Sequence, residues 1–163
     1  MMRDHGLFTE ATDSGFLGGI TVAVWFLVRD LLAGHPLRTP SVLGQLFLLG
    51  EPHPDPNNMV FGAVVLYTAF HFIAFVLFAF LAAALVRLAV DQPAVRFALL
   101  LLFVAFEFCF YVVVNVVSQE VGGLFPLWTV MAANLLAALA MAIYFWRRYP
   151  ELGGILKQEP LGA

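Results

Sequence analysis

Residues 60–86 read VFGAVVLYTAFHFIAFVLFAFLAAALV, 27 positions without an aspartate, glutamate, lysine or arginine. At about 1.5 Å per residue a helix of that length reaches roughly 40 Å, more than the ~30 Å hydrocarbon layer of a bilayer. The run lacks the alternating pattern of a barrel strand. In lipid it must therefore satisfy its own backbone as a helix, tilted or with one end projecting into the interface.

Three further apolar runs lie outward from it, at residues 15–32, 97–117 and 124–146. Each is long enough to span, the first only just. Across all 163 residues 62% are hydrophobic and 12% charged, about half the charged share of soluble domains. A soluble fold this small would expose far more apolar area than water tolerates. One cysteine excludes a disulfide scaffold, the apolar content excludes disorder, and a net charge of −3 argues against a nucleic-acid partner. The fold class expected is all-α: one membrane domain over residues 1–163, built as a bundle of four transmembrane helices.

Punctuation frames the runs. Asp13 and Ser14 are placed to cap the first, Gly34 and Pro36 follow it, and Asn57 and Asn58 precede the second. Pro93 stands before the third, and Gly122, Gly123 and Pro126 open the fourth. The residues ahead of the first run are acidic (Asp4, Glu10, Asp13) rather than basic, so that run is expected to be a retained helix and not a cleaved signal.

Arg3, Arg87, Arg96, Arg147, Arg148 and Lys157 fall on one side of such a bundle, Arg29 and Arg38 on the other. The positive-inside bias then places both termini in the cytoplasm, in a bacterial inner membrane. The long connection, 35–58, belongs to the outer face. In it Thr39 and Pro40 resemble an N-cap and first-turn proline, an apolar run follows over 41–49, and Gly50 ends it. Too short to span, this segment is expected to be an interfacial or re-entrant helix.

The few polar groups within the spans are the candidate site residues. On a helix Glu107, Tyr111, Asn115 and Ser118 share one stripe about 80° wide, with Cys109 opposite. Tyr67 and His71 on the second span, Asn134 on the fourth and Arg29 near the outer end of the first complete the set. His71, Glu107 and Asn134 lie near the midplane, where an ionisable side chain is costly and points to function. They are expected either to form a hydrogen-bonded network or to line an outward-facing polar crevice. Gly15 and Gly19 form a GxxxG pair suited to close helix packing within the bundle.

Metal-ligand spacings, phosphate loops, dinucleotide fingerprints and nucleophile elbows are absent from the sequence. Glu51, His53 and Asp55 read as solvated loop polarity. No cofactor is expected; if a tetrapyrrole were present, His71 is its ligand, and the Phe residues on the same face would suit the ring.

Two segments, WFLVRDLLAGHPLRTPSVLG at residues 25–44 and ANLLAALAMAIYFWRRYPEL at residues 133–152, resemble a group of uncharacterised bacterial four-helix membrane proteins. The resemblance implies topology and an inner-membrane location, and brings no activity with it. The function expected is that of a non-enzymatic structural or accessory subunit, in contact with the lipid bilayer and with partner membrane proteins or copies of itself. A ligand-binding or transport-related protein using the polar crevice is the second reading. An intramembrane enzyme with a His71/Glu107 acid–base pair is the third.

Overall fold

The structure is a computed structural model that describes residues 6–92, 95–120 and 124–150, with side chains described at all of these except Asp91, Arg96 and positions 114–120. The described residues form five helices and no strand: α1 Leu7–Leu32, α2 Arg38–Leu48, α3 Phe61–Asp91, α4 Arg96–Glu120 and α5 Leu127–Arg148. Three of them, α1, α3 and α5, are long and apolar enough to cross a membrane, and α4 carries a shorter apolar stretch over 97–113. The four expected spans fall on α1, α3, α4 and α5. Gly122, Gly123 and Pro93, read as helix punctuation, lie outside the described residues.

The central contact is α1 packed between α3 and α5. Small residues permit it. A Cβ added at Gly15 would stand 2.7 Å from Val76 Cα, and one at Gly18 would meet Met141 and Phe75 at 2.9–3.0 Å. Gly19 lies against the Phe72 ring. Lipid offers no hydrophobic driving force between helices, so this backbone proximity supplies the dispersion contact that holds them.

The start of α1 and the ends of α3 and α5 meet at one end of the bundle, the terminal end; α2 covers the opposite, loop end. Ala11, Ala79, Ala83, Met141 and Phe145 are buried at the terminal end. Val22, Phe75, Ala133 and Ala137 fill the middle, and Val42, Phe125 and Val130 the loop end.

Two expected caps are corrected. Helix α1 starts eight residues before the apolar run, so Asp13 and Ser14 lie inside it, and the Ser14 hydroxyl donates to the Glu10 carbonyl at 2.7 Å. The acidic turn is helical because its charges have partners across the bundle. Thr39 is not the N-cap of α2 either: that position is Leu37, in the left-handed region at φ 63. The cap is borrowed from α1. The buried Asp30 carboxylate accepts from the Thr39 amide at 2.7 Å and from its hydroxyl at 2.8 Å, doing from nine residues upstream what a local capping side chain would do.

Helix α2 then seats on α3 through Gly44, against the Ala63 backbone. The Ser41 hydroxyl accepts from the Val60 amide at 3.0 Å and from Gln45 Nε2 at 3.1 Å, fastening the connection back onto the helix.

Candidate ligand groove

Helices α3 and α5 diverge around α4, which touches both more sparsely than α1 does. Between the three lies a cavity of about 510 Å³. Its α3 wall is Phe75, Phe78, Ala82 and Val86, and its α4 wall is Leu99, Leu102, Phe103 and Phe106. The α5 wall runs from Asn134 past Ala137, Ala138 and Met141 to Trp146. The twelve steps of α5 from Asn134 to Trp146, at ~1.5 Å each, make the groove roughly 18 Å long. Alanines on α3 and α5 opposite phenylalanines on α3 and α4 leave this space, because the small side chains do not fill what the large ones hold apart. The Phe78 and Phe106 rings meet at a tilt with 4.3 Å between centroids, and Phe106 continues to Phe110 at 4.7 Å.

Along its length the groove is apolar apart from its head, where Asn134 is 3% exposed. Its carboxamide adjoins the Glu107 carboxyl group from α4. The two side chains are hydrogen-bonded to each other, and Asn134 Nδ2 and Glu107 Oε1 have no further partner among the described residues. A buried polar pair of this kind is held together because leaving either group unserved is costly in a medium without water.

Among the sequence candidates, the fold thus brings Glu107 and Asn134 together. His71 goes elsewhere: its Nε2 donates to the Gly19 carbonyl on α1 at 3.1 Å. Its ring lies 4.8 Å from Phe75 and 6.0 Å from Tyr67. One nitrogen of the residue that a tetrapyrrole would need is therefore engaged with backbone. Tyr111 is 48% exposed, so the polar stripe of α4 does not all turn inward. The side chains of Asn115 and Ser118 lie outside those described. Arg29 stacks over the Trp128 ring at 5.6 Å, at the loop end and away from the groove. Among the described residues no three His, Cys, Asp or Glu side chains are grouped as metal ligands.

The groove also occupies the half of the bundle where residues 74–86 and 97–106 carry no ionisable group. This cavity is apolar and runs from mid-helix toward the terminal end, while at the loop end a small polar pocket of about 30 Å³ lies between Arg29, Asp30, Arg38 and Thr39. Length and hydropathy identify apolar walls but not whether they touch.

A second cluster escaped the sequence reading. Glu10, buried on α1, accepts from Arg87 Nε of α3 at 2.9 Å, from Tyr149 OH beyond α5 at 2.8 Å and from Arg148 Nε at 3.3 Å. Tyr144 OH donates to Asp13 at 3.4 Å. The available signal was an acidic turn and four basic or phenolic residues, Arg87, Tyr144, Arg148 and Tyr149, all placed at one end by the helix order. Burial, and then the Glu10 carboxylate beside it, raise the Tyr149 phenol above its ordinary range. This cluster ties three helix ends together and leaves the groove beside them open.

No protein-family model, curated protein or solved structure matches the chain.

Proposed function

We propose that this chain is a non-enzymatic integral membrane protein of four spans that holds one apolar chain in the groove between α3, α4 and α5. The observation that carries this reading is the groove itself, about 510 Å³ with walls of Phe, Leu, Ala and Met. That size lies in the usual range of small-molecule sites. Support for a fourth span comes from α4, whose 25 residues extend roughly 38 Å as a helix. The excess of Arg and Lys at the terminal end favours that end as cytoplasmic, with α2 lying on the outer face and a bacterial-type inner membrane as the location.

Extraction in a mild detergent, followed by mass spectrometry of the intact protein, tests the reading. The expected result is one retained apolar molecule per chain, lost when Ala138→Phe fills the groove while the helical content stays. Protein that retains nothing and co-migrates with other membrane proteins would instead return the reading to that of a structural subunit.

A further inference from the structure

Arg29, in the last turn of α1, and Arg38, the first residue of α2, line one small pocket at the loop end together with Asp30 and Thr39. Leu124 and Phe125 form its apolar side. The one carboxylate of the pocket is already committed. Asp30 is buried, and its two oxygens accept from the Thr39 amide at 2.7 Å and the Thr39 hydroxyl at 2.8 Å. Neither guanidinium group makes a hydrogen bond or an ion pair among the described residues. The Trp128 ring holds that of Arg29 by a cation–π contact at 5.6 Å, which fixes its place without supplying a hydrogen-bond acceptor.

We propose that this pocket holds the phosphodiester head group of a membrane phospholipid. Two guanidinium groups against one carboxylate leave a single positive charge, which the one negative charge of a phosphodiester neutralises. The planar donor set of arginine matches phosphate oxygens, and such charge-assisted hydrogen bonds are the strong ones. At about 30 Å³ the pocket has the volume of roughly one water molecule in the liquid. It therefore takes one oxygen of the head group and leaves the rest at its mouth, which rules out a ligand enclosed whole.

The surroundings decide what carries the phosphate. Helices α1 and α5 are both long and apolar enough to cross a membrane, and Arg29 and Trp128 stand at the ends where such spans leave the hydrocarbon layer. Trp128 is exposed, and Met131 and Leu135, three and seven residues further along α5, continue its stripe toward mid-helix and are exposed as well. An acyl chain attached to a phosphate at the pocket lies along this apolar stripe, whereas a free phosphate ion leaves it bare. The site is at the opposite end of the bundle from the groove and does not depend on what the groove holds.

The test uses the full chain, cleared of lipid in a neutral maltoside detergent, with binding read by mass spectrometry of the intact protein. The probes are dioctanoyl-phosphatidylglycerol, dioctanoylglycerol and inorganic phosphate. We expect the phospholipid to bind about tenfold more tightly than dioctanoylglycerol, the difference that one charge-assisted hydrogen bond makes. That preference should vanish when Arg29→Gln and Arg38→Gln are combined, fall in Arg38→Gln alone, which leaves the contact with Trp128 intact, and persist in Ala138→Phe, where the groove is filled. The ratio of the two lipids in the unaltered chain stands on its own should the double variant fail to fold. Equal binding of the two lipids, or a preference that survives both arginine substitutions, overturns the proposal and leaves the reading of the groove untouched. Inorganic phosphate binding as tightly as the phospholipid overturns the assignment to a lipid.

Discussion

Gly44 and Gly62 should answer an added methyl group in opposite ways. At Gly44 a Cβ would run into the Ala63 backbone, which cannot swing aside as a side chain can. Gly44→Ala is therefore expected to destabilise by about 1–3 kcal/mol, the usual cost of overpacking. Gly62 has nothing within 4 Å of its would-be Cβ, and there alanine should stabilise the helix by about 0.5–1 kcal/mol. Reversible unfolding in mixed micelles measures both, and equal effects would show that α2 does not seat as described. Tyr149 gives a prediction in pH. Its phenol is raised in the folded protein, so its contribution is complete below the ordinary tyrosine value of about 10 and is lost as pH rises through the folded value. Tyr149→Phe should remove that alkaline fall in stability. Neither behaviour was legible in the sequence, since a glycine or a tyrosine near a helix end has no meaning until its neighbour is known.

At the scale of elements, α2 is the piece most dependent on another. Its own N-cap offers no side-chain hydrogen bond, and its first turn is held by Asp30 of α1. Asp30→Ala is expected to cost about 1–2 kcal/mol, the value of a lost cap. Hydrogen exchange should then quicken through residues 38–48 while α3 stays protected. Unchanged exchange in α2 would mean that its seat on Ala63, rather than the cap, positions it. Existence of this helix was legible from Thr39, Pro40 and Gly50, but its capping partner was not. A side chain nine positions away becomes a cap only once α1 and α2 turn back on each other. The start of α1 depends on distant partners in the same way. An acidic turn reads as a flank until Arg87 and Arg148 arrive to neutralise Glu10 and Tyr149 donates a hydrogen bond to it.

For the whole molecule, the four-span proposal fixes which positions share a side of the membrane. In a Cys109→Ser background, single cysteines at Gly6 and Pro150 should react with an impermeant reagent from one side and a cysteine at His53 from the other. Labelling of Gly6 and Pro150 from opposite sides would remove one of the four crossings. Glu10 holds this arrangement at the terminal end, where one carboxylate joins α1 to α3 and to the end of α5. The groove lies on the side that this clasp leaves to α4.

By itself the sequence determined that the chain is helical and suited to a membrane, where its long apolar runs lie, and that ionisable side chains within them are few. Length and hydropathy are properties of single segments, so they need no partner to be read. Only the tertiary structure decided that His71 bonds to Gly19, that Glu107 meets Asn134 instead, that Glu10 is a buried hub, and that Phe and Ala walls enclose a groove. Those outcomes depend on how each helix is rotated and how deep it lies against its neighbours. A helix turns by about 100° for every residue, so a small change in rotation or register exchanges one set of facing side chains for another.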